Sequence, residues 1–198
     1  MLVRHGSTTL NAVGNESAER IRGWRDIPLN AAGREDARRV AKELADAPIA
    51  AIYSSPLSRA MDTALAIKAY HRDASGPHAM VSIMPWQLGH MQGQEVRVIL
   101  PVMNSYVKSE DRTPPGGEPF VAFRKRFLSF LKEQLDRLAT QVDDSIVAFV
   151  THSRGLQVTK AWVDNGAPND LSISVDAMLN YEEAAPPGGH MWLSAKRA

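Results

Sequence analysis

Continuous apolar runs alternate along this chain with segments whose apolar residues recur at helical spacing. Residues 49–53 and 146–150 are short apolar runs, which is typical of strands that are buried on both faces of a sheet. Helical spacing is found from Asn30 onward, over 57–70, and along a longer segment at 120–138. Strands that alternate with helices in this way predict an α/β fold with a mainly parallel sheet.

Weaker patterns complete this prediction. Leu2 and Val3 form a short apolar start, a third strand is predicted at 79–83, and a last edge strand at 191–194. Another helix is expected near Leu156. Residues 85–119 contain five prolines and several glycines, and we interpret them as an irregular excursion on the substrate side of one domain that spans 1–198.

Composition restricts the class of protein. The 198 residues favour a single domain, and the formal net charge of +1 gives no overall attraction to nucleic acid or to a membrane surface. The chain has no cysteine, which excludes disulfides and thiolate chemistry and fits a reducing compartment. No signal peptide and no apolar run of about 20 residues is found, so we expect a cytoplasmic protein without a membrane partner.

Polar residues follow three of the predicted strands. Arg4 and His5 come after the first strand, Arg59 lies in the turn after the second, and His152 directly follows the run at 146–150. Parallel strands would bring these turns to the same edge of the sheet, where ligands bind in open α/β folds. Two guanidinium groups and two imidazoles suit a phosphoryl group, and a neutral imidazole can attack phosphorus directly.

The motifs at these turns carry a resemblance to a known family. The opening Leu-Val-Arg-His-Gly is similar to the first signature of the histidine phosphatase, or phosphoglycerate mutase-like, superfamily (branch 1). Four further blocks follow in family order, at residues 23–29, 53–60, 115–118 and 150–155. A lone Arg-His-Gly is weak evidence, but several blocks in the right order, from Met1 to about Val163, are specific.

The resemblance implies a three-layer sandwich and a metal-independent enzyme that needs no cofactor and acts on a small phosphorylated substrate. It implies that His5 is the nucleophile, which becomes a phosphohistidine, and that Arg4, Arg59 and His152 hold the phosphoryl oxygens. It further implies substrate-binding roles, shared by Gly6, Asn11, Arg22 and Gly23. Hydrolysis is the expected reaction, and a mutase, which needs the same nucleophile, is a second possibility within the family.

One departure from the family pattern concerns the general acid. The family places a glutamate four residues before the glycine of a segment that here is Gly89-His90-Met91-Gln92-Gly93, and Pro85 stands at that position. Proline cannot protonate a leaving group, and general acid catalysis is typically worth about 10²–10⁴-fold in rate. His90, Glu95 and Glu118 are the candidate replacements. The residues do not rank them, although Glu118 stands where the family has a glutamate in any case.

Two alternative functions follow from the same residues. A binding protein could keep the phosphate pocket and lack efficient turnover, because Pro85 replaces the acid. A serine esterase is also possible, since Thr151 to Gly155 nearly matches the Gly-x-Ser-x-Gly nucleophile elbow and Ser153, Asp176 and His190 follow in hydrolase order. The esterase interpretation leaves the Arg4-His5 and Arg59 blocks unexplained. Substrate identity and oligomeric state are not encoded in any recognisable pattern.

Overall fold

A computed structural model of the chain describes residues 1–11, 19–140, 145–181 and 184–194. Within these ranges the strands are β1 (Leu2–Arg4), β2 (Ile49–Ser54), β3 (Ser75–Ala79), β4 (Ile146–Thr151) and β5 (His190–Met191). They form one sheet in the spatial order β3, β2, β4, β1, β5. Strands β3, β2, β4 and β1 run parallel to one another, and β5 pairs antiparallel with β1.

The helices of the described ranges cover both faces of this sheet. They are α1 (Ala31–Glu43), α2 (Ser58–Lys68), α3 (Val96–Val107), α4 (Phe120–Ala139), α5 (Ser153–Asp164) and α6 (Val175–Leu179). None of them combines the length and the apolar character needed to cross a bilayer. Two 3₁₀ turns, Val81–Ile83 and Gly89–Met91, lie between β3 and α3.

Alternation along the strands divides the core into two layers. Val3 and Val150 belong to a cluster that includes residues of α1 and α2, whereas Leu2 and Phe149 belong to a second cluster with α4 and α5. Successive side chains of a strand point to opposite faces, so buried strands with helices on both sides must be apolar throughout. The predicted three-layer α/β sandwich with a mainly parallel sheet is confirmed.

Two predicted strands are displaced. The third strand lies at Ser75–Ala79 rather than at 79–83, and the last one is limited to His190–Met191. Both are edge strands, which are paired on one side only and do not need the continuous apolar run of a central strand. The apolar residues Val81 to Ile83 form a 3₁₀ turn, and Ile83 is buried there.

The irregular excursion predicted at 85–119 was wrong in one respect, because it contains the twelve-residue helix α3. Pro101 lies inside this helix and removes one backbone donor, which is why the proline content favoured a loop. Met103 and Val107 are buried, so tertiary packing of one apolar face outweighs the cost of the proline.

Candidate active site

The carboxyl ends of β1, β2 and β4 open into one cavity of about 320 Å³. Its wall includes Arg4 and His5 from the end of β1, Arg59 from α2, and His152 from the end of β4. All four side chains are at least 96% buried. The convergence expected from the strand order is therefore observed, since β4 lies between β1 and β2.

The imidazole of His5 is held in one tautomer by its own loop. Nδ1 lies 2.7 Å from the carbonyl oxygen of Gly6. A carbonyl can only accept, so Nδ1 carries the hydrogen and, in the neutral ring, Nε2 carries the lone pair. Burial, and then the positive charge of Arg59, lowers the pKa of His5 well below its ordinary value. The ring is therefore neutral near pH 7, with its nucleophilic nitrogen unprotonated.

His152 faces His5 across the floor of the cavity. The two ring centroids lie 5.0 Å apart, with the planes at 62°. Both nitrogens of His152 are buried and have no hydrogen-bond partner among the described residues. Burial, followed by the charge of Arg59, also lowers the pKa of His152 well below its usual range. Buried polar nitrogens without partners are rare in folded proteins, and here they line a cavity that a polar ligand can enter.

Arg59 is 1% exposed, and its guanidinium group connects two segments of the wall. Nη1 donates to the carbonyl oxygen of Arg25 and Nη2 to that of Gly23, both at 2.8 Å. Burial is the main cause that lowers the pKa of Arg59 to about 9, so the group keeps its charge at neutral pH. Nε is buried without a partner in the described part of the chain.

Two further guanidinium groups line the cavity beside the histidines. Nη1 of Arg4 donates to the carbonyl oxygen of Ala185 at 2.8 Å, which ties the end of β1 to the C-terminal segment. Nη2 of Arg22 lies 3.2 Å from Oε1 of Glu19. Arg22 is close enough for its charge to contribute to the lowered pKa of both imidazoles.

The loop that carries Arg22 and Gly23 is held by contacts at both ends of the segment 23–26. Oδ1 of Asp26 accepts hydrogen bonds from the backbone N–H and the hydroxyl of Ser58, at 2.8 and 2.7 Å. These bonds satisfy the start of α2, whose preceding residue, Leu57, offers no capping side chain. Nε1 of Trp24 donates to the carbonyl oxygen of Pro85 at 2.8 Å. This bond joins the loop to the residue that stands where the family has its general acid.

Gly6 and Asn11, both predicted to bind substrate, do not line the cavity. Oδ1 of Asn11 accepts from the backbone N–H and the hydroxyl of Thr8, which is the arrangement of a turn. A Cβ on Gly6 would lie 2.2 Å from the carbonyl oxygen of Gly33. The glycine therefore allows the loop after His5 to approach α1 closely.

None of the three candidate acids lines the cavity either. Glu118 accepts hydrogen bonds from the backbone N–H of Gln87 and from Arg126, at 3.0 and 2.7 Å. It therefore holds the loop that follows Pro85 from outside the cavity. Glu95 is bound to Arg20 and Arg97. His90 is exposed. Pro85 itself is on the cavity wall.

The described wall contains three charged residues that the sequence did not indicate as functional: Glu19, Arg20 and Arg154. Glu19 is the one carboxylate among the described residues that line the cavity, and Arg154 lies on α5 two residues after His152. None of the three belongs to a recognised block. The available signal for Arg154 was its position in the first turn after the second histidine, and no local pattern distinguishes Glu19 from a surface glutamate.

The residues of the esterase alternative do not form a triad. Ser153 lines the cavity, but Asp176 is exposed and paired with Lys108, and the ring of His190 meets that of Trp192 edge to face. Among the hydrogen bonds of the described residues, none joins any two of Ser153, Asp176 and His190. A serine nucleophile needs its base within hydrogen-bond reach, so this arrangement does not support the esterase.

Comparison with known proteins identifies a family for this chain. Residues 1–175 match the profile of the histidine phosphatase superfamily, branch 1. The chain is 26% identical over 181 residues to fructose-2,6-bisphosphatase TIGAR B of Danio rerio, an alignment that covers 90% of this chain and 67% of that protein. It is 33% identical over 150 residues to glucosyl-3-phosphoglycerate phosphatase of Mycolicibacterium vanbaalenii, covering 73% of this chain.

Several of these curated relatives are longer than the matched region. The alignment covers 61% of the Mycolicibacterium phosphatase and 28% of phosphoglycerate mutase-like protein 4 of Arabidopsis thaliana, which is 44% identical over 70 residues and 35% of this chain. The matched chain thus spans less than two thirds of each of these two proteins.

Solved structures share the fold. A mycobacterial glucosyl-3-phosphoglycerate phosphatase superposes with a TM-score of 0.69 at 23% identity, covering 92% of this chain and 83% of that one. Phosphoglycerate mutase from Thermus thermophilus superposes with a TM-score of 0.61 at 25% identity, covering 94% and 87%. The chain therefore belongs to branch 1 of the histidine phosphatase superfamily, a family of phosphatases and phosphoglycerate mutases.

Proposed function

We propose that this chain hydrolyses small phosphomonoesters through a covalent phosphohistidine on His5, without a metal ion. The observation that carries the proposal is the hydrogen bond from Nδ1 of His5 to the carbonyl oxygen of Gly6. It leaves Nε2 as the lone-pair nitrogen of a ring whose pKa is lowered by burial. Such a nitrogen is a nucleophile at neutral pH without the help of a separate base.

The groups around His5 are suited to the charge of a transferring phosphoryl group. Arg4 and Arg59 supply two fixed positive charges, and the unpartnered nitrogens of His152 supply a hydrogen-bond donor. Preorganised donors and charges of this kind stabilise the charge that is spread over the phosphoryl oxygens in the transition state. The cavity is already formed, so little reorganisation accompanies the reaction.

The reaction proceeds in two displacements. The Nε2 lone pair attacks phosphorus, the bond from phosphorus to the ester oxygen breaks, and the oxygen leaves with that electron pair and takes up a proton. Water then attacks the phosphohistidine, the nitrogen–phosphorus bond breaks, and orthophosphate leaves while Nε2 recovers its lone pair. Splitting one displacement into two in this way is the advantage of a covalent nucleophile.

The test is to trap the intermediate. The protein is mixed with ³²P-labelled p-nitrophenyl phosphate and quenched in alkali, which preserves phosphohistidine, and the labelled peptide is mapped. We expect the label on His5, with neither label nor turnover in His5→Ala. The exposed His90→Ala is the matched control and should keep both.

Turnover by His5→Ala at the wild-type rate, or label on another residue, would contradict the proposal. A His152→Ala variant separates nucleophile from ligand, because removing His152 leaves Nε2 of His5 in place. We expect that variant to be slow but to accumulate label on His5.

A second candidate function is a phosphate-ester-binding protein with weak turnover, and Pro85 on the cavity wall is the observation that favours it. The leaving-group experiment described in the Discussion separates this candidate from an efficient phosphatase. Mutase activity uses the same first displacement and would be detected as transfer of the label to a second hydroxyl of the substrate.

We further propose that the chain works as a single catalytic domain in the cytoplasm. The lack of cysteine is compatible with a reducing compartment.

A further inference from the structure

The imidazole of His5 is bound to a peptide group that a carboxylate holds from its other side. Nδ1 of His5 lies 2.7 Å from the carbonyl oxygen of Gly6. The same peptide unit contains the N–H of Ser7, which donates to Oδ2 of Asp36 at 3.0 Å. A trans peptide unit is planar and rigid, so a bond that fixes its N–H also fixes the direction of its C=O. The acceptor that His5 meets is therefore oriented by Asp36.

The position of Asp36 follows from a close contact between α1 and the loop after His5. Gly33 and Asp36 are three residues apart on α1 and so lie on the same face of the helix. A Cβ on Gly33 would lie 1.8 Å from the carbonyl oxygen of Ser7, so the glycine allows the helix to approach the loop. This approach brings the short side chain of Asp36 within reach of the Ser7 backbone.

The carboxylate of Asp36 is itself held in one orientation. Oδ2 also accepts from the hydroxyl of Ser7 at 2.7 Å, and Oδ1 accepts from Nη2 of Arg39 at 3.1 Å. Its side chain is only 21% exposed. The charge of Arg39 offsets much of the negative charge, so Asp36 acts on the peptide mainly as an acceptor of fixed direction.

The two preceding N–H groups of this loop belong to other peptide units. The N–H of His5 donates to the carbonyl oxygen of Thr151 at 3.0 Å, and the N–H of Gly6 donates to the hydroxyl of Thr63 at 3.2 Å. Both bonds anchor the loop, but neither lies on the peptide whose carbonyl meets His5. The bond to Asp36 does.

We propose that Asp36 is a positioning residue that fixes His5 as its Nδ1–H tautomer through the Gly6–Ser7 peptide. The hydrogen bond made by one ring nitrogen decides which nitrogen carries the hydrogen. A ring with its hydrogen on Nε2 would have no lone pair there to attack phosphorus. The inference rests on the proposed function for the role of Nε2, and Asp36 acts on the chemistry only through His5, because it does not line the cavity.

Nitrogen NMR tests the tautomer directly and needs no turnover. Protein labelled with ¹⁵N in its six histidine rings is measured at neutral pH, and the His5 signals are assigned by their loss in His5→Gln. Protonated and lone-pair nitrogens of a neutral imidazole give separate signals. We expect the wild type to carry the hydrogen of His5 on Nδ1. Asp36→Leu keeps the approximate shape but removes the acceptor, so the two signals should move toward each other as a second tautomer becomes populated.

Kinetics should follow the tautomer. We expect Asp36→Leu to lower kcat/KM on p-nitrophenyl phosphate about tenfold or more, as for other groups that orient a functional histidine. Competitive inhibition by inorganic phosphate should keep its wild-type strength, because the groups that hold a phosphoryl anion are unchanged. Asp36→Asn keeps an oxygen acceptor and should restore most of both the rate and the spectrum.

Glu35→Leu is the matched control, since Glu35 is the exposed neighbour on α1 and pairs with Arg38. It should behave like the wild type in both measurements. Leucine favours helices, so Asp36→Leu should fold. Should it not fold, Asp36→Ala takes its place with the same expected results.

Four results would overturn the proposal. They are a wild-type His5 with its hydrogen on Nε2, an unchanged spectrum in Asp36→Leu, an Asp36→Asn variant as damaged as Asp36→Leu, and an equal loss of phosphate inhibition. The third would assign the effect to the ion pair with Arg39, and the fourth to a general disruption of the cavity.

Failure of the two proposals can be distinguished. If His5→Ala keeps turnover of p-nitrophenyl phosphate, the phosphohistidine function fails, and the spectra still decide whether Asp36 sets the tautomer. If His5 is labelled as expected but Asp36→Leu keeps the wild-type spectrum and rate, only the positioning role of Asp36 fails.

Discussion

The imidazole rings of His5 and His152 meet edge to face in the floor of the cavity, with centroids 5.0 Å apart. They come from neighbouring parallel strands, β1 and β4, whose register pairs Arg4 with Thr151. Each histidine is therefore the residue that follows a paired strand position, and the sheet fixes their separation. Burial, followed by the positive charge of Arg59, lowers the pKa of both rings.

The buried histidine pair should make folding stability depend on pH. In the unfolded chain a histidine takes up a proton near pH 6.5, whereas His5 and His152 take one up only at lower pH in the fold. Below pH 6.5 the unfolded state binds more protons, so stability falls as pH falls, by up to about 1.4 kcal/mol per pH unit for each ring. Above pH 6.5 this contribution is constant.

Urea unfolding at pH 7.5, 6.0 and 5.0 in phosphate-free buffer measures this dependence. The His5→Gln, His152→Gln double variant should show a flatter dependence over that window than the wild type. Exposed His90→Gln is the control. An unchanged slope in the double variant would show that other groups cause the acid instability.

Replacement of Arg59 by lysine should be severe. Lysine offers one point charge, whereas the guanidinium of Arg59 both faces the cavity and donates to the carbonyls of Arg25 and Gly23. We expect transition-state stabilisation to weaken by about 2 kcal/mol or more, which lowers kcat/KM by roughly thirtyfold or more, toward the roughly 10²–10³-fold loss that follows removal of one preorganised donor. Steady-state kinetics on p-nitrophenyl phosphate checks this, with Arg38→Lys as the matched control. A near-normal kcat/KM would remove Arg59 from the phosphoryl site.

The enzyme should discriminate sharply between leaving groups. Pro85 cannot donate a proton, and Glu19, the carboxylate on the described wall, is ion-paired with Arg22. Leaving oxygens must then depart with little protonation, which is easy for a nitrophenolate and difficult for an alkoxide. A plot of log kcat/KM against leaving-group pKa should therefore be steep. Pro85→Glu should raise activity on alkyl phosphates more than on aryl ones, by up to the roughly 10²–10⁴-fold that general acid catalysis supplies.

Similar wild-type rates on alkyl and aryl phosphates would show that an acid does act. In that case Glu19→Gln should damage the alkyl substrates selectively, whereas Glu118→Gln, which alters a contact behind the Pro85 loop, should not distinguish the two classes. This contrast tells a proton donor from a residue that positions the loop.

Gly33→Ala should destabilise the protein although alanine favours helices. Gly33 lies in the first turn of α1, where alanine gains about 1 kcal/mol in helix propensity over glycine. A Cβ there would lie 1.8 Å from the carbonyl oxygen of Ser7, so backbone must move. We expect the free energy of unfolding to fall by about 1–3 kcal/mol, the usual cost of overpacking. Turnover should fall as well, because Ser7 follows the loop that holds His5. A stabilised, fully active variant would refute this.

Activity should survive chelators. Among the described residues no group of three histidine, aspartate or glutamate side chains is placed to hold a metal ion. The arginines of the wall supply the positive charge that a metal would otherwise bring to a phosphoryl group. Turnover of p-nitrophenyl phosphate before and after dialysis against EDTA measures this, and a loss that added Mg²⁺ or Zn²⁺ restores would contradict the expectation.

Much of the fold could be predicted from local pattern. The runs that became β2 and β4 are apolar because both faces of those strands are covered. Asn30 caps α1, since its Oδ1 accepts a hydrogen bond from the backbone N–H of Gly33. The edge strand β3 was predicted a few residues too late in the chain, and the helix α3 was missed. Their formation depends on pairing with β2 and on burial of one face around Pro101, and neither is visible in a short window of sequence.

The sequence by itself determined which residues would meet at the sheet edge. His5 and His152 directly follow a parallel strand, and Arg59 lies in the first turn of the helix after another. Only the tertiary structure decided the rest of the cavity. Glu118 accepts a hydrogen bond from Arg126, and Asn11 accepts one from Thr8. Arg154 has no counter-ion among the described residues. The physical reason is that strand period and order place the exits of strands. The direction of a loop side chain depends instead on hydrogen bonds and burial against segments that are distant in sequence.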